Sequence, residues 1–305
     1  MKPANAYLAL ALTALFWSGN VLTGRALNTT VAPAVLAFWR WALVLLVLLP
    51  LVAGELRARA ADLRRAWRTM ALLGLLSTSV FNALIFEALR YTSAANAALL
   101  NSSIPVWTVI AAWLIARERT SPAQALGLAV SFVGVFTILS RGDFATLARL
   151  SINHGDALMM GAMVMWSIYA VCLRQRPAGL SAFAYLWVTG AFGLVMLSPW
   201  LAYSLASGAS LWLPAAAWGG VVYLAVFPSM LATALYNRAV DSLGASRASQ
   251  GVHLVPVFAA LLGALLLDEP IRAYHLAGFA LILAGLAWAA YFTRNQALMA
   301  PEPVR

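Results

Sequence analysis

Apolar residues run along this chain in stretches of about twenty, and polar residues are confined to the short gaps between them. Ten such stretches can be drawn, at about 6–27, 31–53, 69–90, 94–115, 121–139, 154–173, 181–204, 214–238, 243–267 and 272–293. Each has the length that an α-helix needs to cross a hydrocarbon core of about 30 Å. The runs are rich in Leu and Ala and lack the period-2 alternation of barrel strands, so helices are the expected spanning elements. Polar-then-proline punctuation, "TSP" at 120–122 and "DEP" at 268–270, marks helix starts. The longest polar gap, "GELRARAADLRRAWR" at 54–68, predicts an amphipathic segment lying at the membrane surface. The first run carries "FWSGN" with no small-residue cleavage site after it, and reads as a retained span.

The pattern repeats. Pro105, Glu118, Gly127 and Gly134 recur as Pro256, Glu269, Gly278 and Gly285, each 151 residues downstream. A weaker echo pairs "WSGNVLTGR" at 17–25 with "WSIYAVCLR" at 166–174. Each half then holds five spans, and an odd number forces the second half to enter the membrane upside down. Inverted repeats are a device of secondary transporters, in which two equivalent packings open one site to either side. The fold expected is therefore all-α and integral to the membrane: ten transmembrane helices as two inverted five-helix repeats, 1–150 and 151–295, with a short cytoplasmic tail at 296–305.

Composition agrees. Hydrophobic residues make up 63% of the 305 and charged residues 10%, far from the balance of a soluble domain, and the mean hydropathy is +0.84. The net charge of +10 sits on arginines between apolar runs, which points to lipid headgroups and excludes nucleic acid as the partner. Alternating loops put thirteen Lys and Arg residues on the side of the termini and five (Arg25, Arg90, Arg141, Arg149, Arg272) on the other. That asymmetry places both termini in the cytoplasm of a cell whose inner (plasma) membrane holds the protein. Cys172 is the single cysteine, so neither an intramolecular disulfide nor a cysteine metal site is expected.

The pieces "FWSGN", "FWRWALVLL", "ALRYTSAANAALLNSSIPVWTVIAAWLIARERT" and "LVPVFAALLGALLLDEPIRAYHLAGFALILAGL" resemble the drug/metabolite transporter superfamily, specifically its EamA-type ten-helix members. The resemblance covers nearly the whole chain. It implies export of amino acids, other metabolites or toxic compounds, and leaves the choice among them open. No cofactor or metal is expected, and the oligomeric state stays open, a monomer included.

Candidate site residues follow from polar and aromatic positions inside spans. Arg40 lies about ten residues into span 2, roughly 15 Å deep at 1.5 Å per residue, where a cation faces a partner or a wet cavity. It reads either as an anchor for an anionic substrate group or as one half of an ion pair with Glu87, which is also the candidate proton site. Asn101 and Thr108 share a face of span 4, and Ser246, Gln250 and His253 share one of span 9. These polar faces serve a site or act as glue between helices. Pro105 and Pro256 each remove a backbone hydrogen bond and loosen the helix beside a cavity. Trp17, Trp107 and Trp166 sit away from the span ends. Trp17, Asn20, Trp166, Tyr169, Tyr236 and Asn237 are further lining candidates. Glu118 and Glu269 read as structural acids at helix starts, and the four repeated glycines as packing contacts. Arg247 either snorkels to the cytoplasm or meets Asp241. Ser249 and His253, one turn apart, raise a hydrolase, but they share one helix with no third group to orient the base. No HExxH, P-loop or intramembrane acidic pair is present.

Overall fold

A computed structural model describes residues 3–299 apart from 93–96, 98, 99, 119, 144, 146–152 and 268–270. Arg119, Arg149, Asp268, Glu269 and the tail beyond 299 thus lie outside the described residues, and of residues 292–299 only the backbone is described. Among the described residues every regular element is helical. Span 1 is Pro3–Leu27, span 2 Pro33–Ala58, span 5 Pro122–Leu139, span 6 His154–Cys172 and span 7 Ala182–Ala206. Seven helical runs are long and apolar enough to cross a membrane, and Ile104–Ala116 of span 4 and Ala273–Ala289 of span 10 add shorter apolar helices. The 54–68 gap holds a short helix, Ala60–Arg65. Arg59, just before it, bonds Asp62 and the carbonyls of Ala178 and Gly179.

Four spans depart from a plain α-helix, in two pairs related by the repeat. Span 3 begins as α-helix at Trp67, becomes π-helical over Leu75–Val80 and returns to α over Phe81–Ala88. Span 8 does the same, with a π-helical stretch at Ala225–Ala232, which contains the positions 151 residues on. Asn82 Nδ2 donates to the carbonyls of Ser77 and Thr78 at 3.0 and 2.8 Å. Thr233 Oγ1, its counterpart, donates to that of Pro228 at 3.1 Å. Polar side chains thus bind carbonyls that the widened turns leave poorly aligned. Span 9 is α-helical over Ala245–Gln250, 3₁₀ over Gly251–His253 and α-helical again from Leu254. Span 4 has a turn at 102–103 before Ile104–Ala116. Both breaks fall just ahead of the repeated prolines, whose rings clash with the carbonyl four residues back.

Residues related by the repeat meet one another. An ideal Cβ on Gly127 would lie 2.7 Å from the Gly285 carbonyl, and one on Gly134 would lie 2.7 Å from that of Gly278. Spans 5 and 10 therefore cross with their backbones in contact at four glycines, as their common face predicts. Trp17 packs edge-on against Trp166, its counterpart, with centroids 5.2 Å apart. His253 Nε2 lies 3.1 Å from the carbonyl of Ser102, its counterpart. The two halves thus touch through equivalent residues. Spans 3 and 7 also touch backbone to backbone, where a Cβ on Gly74 would strike the carbonyl of Thr189.

Candidate functional site

Beside the Trp17–Trp166 contact lies a cavity lined by Trp17, Asn20, Arg40, Asn101 and Trp166 among the expected residues, and by Trp41, Ser77, Phe81, Asn82, Ile85, Ile104, Pro228 and Thr233 besides. Its volume is about 40 Å³, room for roughly three waters at 10–15 Å³ each. The π-helical stretches supply Ser77 and Pro228, and the α-turns that follow them supply Phe81, Asn82 and Thr233. The repeat therefore builds both sides of one site from equivalent irregular backbone, in a place where irregular backbone lines a cavity.

Arg40 is the cation of this cavity, and it is 5% exposed. Its Nε donates to Ser229 Oγ and an Nη donates to Asn20 Oδ1 at 3.1 Å. Its guanidinium carbon stands 5.6 Å from the centre of the Phe86 ring. Among the described residues no carboxylate pairs with it. Glu87 forms its ion pair with Arg90 instead, at 3.0 Å, and accepts from Tyr91 Oη at 3.3 Å. These three residues line a separate pocket of about 700 Å³ at the end of span 3 where span 7 also ends. The alternative that tied Arg40 to Glu87 is corrected by this geometry: Glu87 sits at a half-exposed helix end, within one turn of its own cation. Arg40 is left with neutral dipoles. An isolated buried charge is costly, and here two hydrogen bonds and an aromatic face offset only part of that cost.

An aromatic cluster forms the cavity's other wall. Trp17 Nε1 donates to the Pro228 carbonyl at 3.1 Å. Trp166 is the hub, 5.0 Å from Phe81, 5.1 Å from Tyr169 and 5.5 Å from Tyr236 between centroids. Tyr169 and Tyr236 stand behind it and are fully buried. Tyr169 Oη donates to Asn237 Oδ1 at 3.0 Å, so these residues support the wall without lining the space. Trp41 Nε1 and Asn82 Oδ1, both on the lining, have no hydrogen-bond partner. Trp166 Nε1 is likewise without a partner, so two unsatisfied donors and one unsatisfied acceptor belong to lining residues.

The remaining candidates lie elsewhere. Trp107 Nε1 points at Met160 Sδ, 3.0 Å away, and Thr108 donates to Ile104 O and Ser167 Oγ at 2.8 and 3.2 Å, joining span 4 to span 6. Gln250 and His253 are buried off the cavity wall. Ser249 donates to the carbonyl of Ser246 at 3.0 Å, while His253 faces Ser131 and Ser102, so the hydroxyl and imidazole of the hydrolase idea do not meet. At the other membrane face Glu118 pairs with Arg174 at 2.8 Å, and Arg176 pairs with Asp241, joining span 6 to spans 4 and 8. Arg247 lines the polar vestibule beside these groups, about 390 Å³ in volume, together with Asp241, Gln124 and Ser246.

The profile of the EamA-like transporter family matches this chain twice, over residues 4–140 and 153–291. The chain belongs to the EamA-like transporter family. It is a multi-pass membrane protein with two copies of the family's unit. An uncharacterized transporter of Bacillus subtilis, YyaM, is 28% identical over 94% of this chain and 93% of its own. A protein of Streptantibioticus cattleyicolor named a probable terminal-alkyne amino-acid exporter is also 28% identical, over 94% and 93%. A solved crystal structure shares the fold, with a TM-score of 0.75 over 97% of this chain and 99% of that one, at 20% identity.

Around this cavity the sequence reading missed Trp41, Ser77, Phe81, Asn82, Ile85, Ile104, Pro228, Ser229 and Thr233. For the polar residues of spans 3 and 8 the signal was present: hydroxyl and amide groups inside the spans, with Asn82 and Thr233 separated by the repeat distance.

Proposed function

We propose that this EamA-family transporter exports small amphipathic metabolites such as amino acids by alternating access, from an inner membrane with both termini cytoplasmic. The observation that carries the reading is Arg40, buried in the cavity with neutral partners only. A substrate carboxylate beside it would gain roughly 4 kcal/mol at 4 Å in an effective dielectric of 20. The indoles of Trp17 and Trp166 and the ring of Phe81 suit an apolar body, and the amides of Asn82 and Asn101 suit an ammonium group. A zwitterion meets a complementary group at each end. The name of the Streptantibioticus relative agrees with this class. The cavity has room for roughly three waters, so it has to widen to admit an amino acid. The lining offers groups suited to binding, and we read the protein as a transporter and not an enzyme.

The aromatic cluster favours a second reading, efflux of hydrophobic toxic compounds, which would depend on tryptophan and little on Arg40. Cells expressing the wild type, Arg40→Ala or Trp166→Ala separate the two. Under the first reading the wild type gives resistance to toxic amino-acid analogues and speeds efflux of labelled amino acids, and both variants lose these properties. Resistance to lipophilic cations alone, retained by Arg40→Ala, would establish the second.

A further inference from the structure

His253 is fully buried where the broken spans 4 and 9 meet. Its Nε2 faces a backbone carbonyl, that of Ser102 at 3.1 Å, which only accepts. Nε2 therefore carries a hydrogen. Its Nδ1 lies 2.6 Å from Ser131 Oγ of span 5, and that hydroxyl also has the Leu128 carbonyl at 3.1 Å. Two complete hydrogen-bond patterns follow. With a neutral ring, Ser131 donates to Nδ1. With a protonated ring, Nδ1–H donates to Ser131 Oγ, and the hydroxyl turns to Leu128 O. A proton is taken up or given back with every polar atom kept in a hydrogen bond, which a merely structural histidine does not need.

The position lies between residues that line two separate spaces. Ser246 and Gln250 share the His253 face of span 9, and Gln124 lies seven residues before Ser131 on span 5. Ser246 and Gln124 line the cytoplasmic-side vestibule, and Asn101, the neighbour of Ser102, lines the central cavity. We propose that His253 is the proton-binding site that couples substrate export to proton entry, one proton per cycle. The inference rests on the transport reading above. The repeat places Ser102, which does not titrate, at the equivalent position, so one titratable group serves both halves. The side-chain nitrogens of His253 meet Ser131 Oγ and the Ser102 carbonyl, both neutral. Span 5 presents Ser131 and the ring of Phe132, 5.8 Å away, span 4 presents the Ser102 carbonyl, and span 1 presents Leu10 against Gly251. Of the described side chains on these elements, the titratable ones besides His253 are Tyr7 of span 1 and Arg247 of span 9. An imidazolium closed in this way lacks water and a counter-ion. Proton uptake therefore favours an arrangement in which the contact of spans 4 and 9 parts and the ring reaches a vestibule. The proton leaves to water on the side then open.

The test uses full-length protein carrying His154→Gln and His275→Gln, which leaves His253 as the single histidine, with ¹⁵N-labelled histidine in lipid nanodiscs. Between pH 5 and 9 the expected spectrum shows Nδ1 gaining one proton, and Ser131→Ala moves that transition at least tenfold in proton concentration toward acid. In proteoliposomes, labelled phenylalanine accumulates in response to a pH gradient with the wild type. His253→Gln keeps phenylalanine exchange at equal pH and loses the response to the gradient. An Nδ1 that stays unprotonated throughout, or gradient-driven accumulation that survives in His253→Gln, overturns the proposal. A wild type that titrates as expected but moves no amino acid supports the proton site and contradicts the substrate reading.

Discussion

Arg40 separates stability from function more sharply than any other side chain of the cavity. Because its partners are the neutral Asn20 and Ser229, replacing it with methionine removes a buried charge without stranding another. Arg40→Met is expected to leave the thermal unfolding midpoint in detergent unchanged or raised. It should weaken amino-acid binding about ten- to hundredfold, the worth of a charge-assisted hydrogen bond of roughly 1.5–3 kcal/mol. A large fall in the midpoint would mean that the guanidinium is structural. Glu87 pairs with Arg90, so the effects of Arg40→Met and Glu87→Gln on that midpoint should add. An interaction between them would return them to one pair. Arg40, Trp17 and Trp166 were legible in the sequence because a guanidinium deep in a span, or an indole far from its ends, is out of place there. The pairing of Arg40 was not, because within a bilayer the choice between a carboxylate and two neutral dipoles depends on which helix faces it. Asn82 and Thr233 escaped notice for another reason. A π-helical turn adds one residue, which rotates the following face by about 100° relative to an α-helical reading.

The helices show how far a repeated spacing can be trusted. Four glycines seven apart announced a close crossing, and spans 5 and 10 meet at them carbonyl to Cα. Gly134→Ala puts a methyl 2.7 Å from the Gly278 carbonyl and is expected to cost about 1–3 kcal/mol, as overpacking does. Gly54→Ala, with nothing within 4 Å, should cost nothing. Thermal unfolding of the two variants checks this, and equal midpoints would contradict the packing. Proline positions foretold the breaks in spans 4 and 9, since a missing N–H and a ring clash act at a fixed offset along the chain. The π-helical stretch of span 8 holds Pro228, but in span 3 no comparable residue announces the π-helical turns. Those of spans 3 and 8 are held by Asn82, Thr233 and the helices packed against them, and become readable only when both halves are seen to share them.

Two halves that place Trp17 on Trp166 and Ser102 on His253 enclose a cavity lined by residues of both. Single cysteines in the 54–68 and 206–212 loops, on a Cys172→Ala background, are expected to react with an impermeant reagent from opposite sides, 54–68 from the cytoplasm. Reaction of both from the periplasm would end the ten-span arrangement. What the molecule recognises turns on the carboxylate that Arg40 is proposed to hold. In proteoliposomes preloaded with labelled phenylalanine, external phenylalanine should drive exchange, whereas phenylalaninamide, which keeps the ring and the amine and lacks the carboxylate, should not. Exchange driven equally by the amide would contradict the assignment of Arg40 as the substrate's anchor and, with it, export of amino acids by this protein.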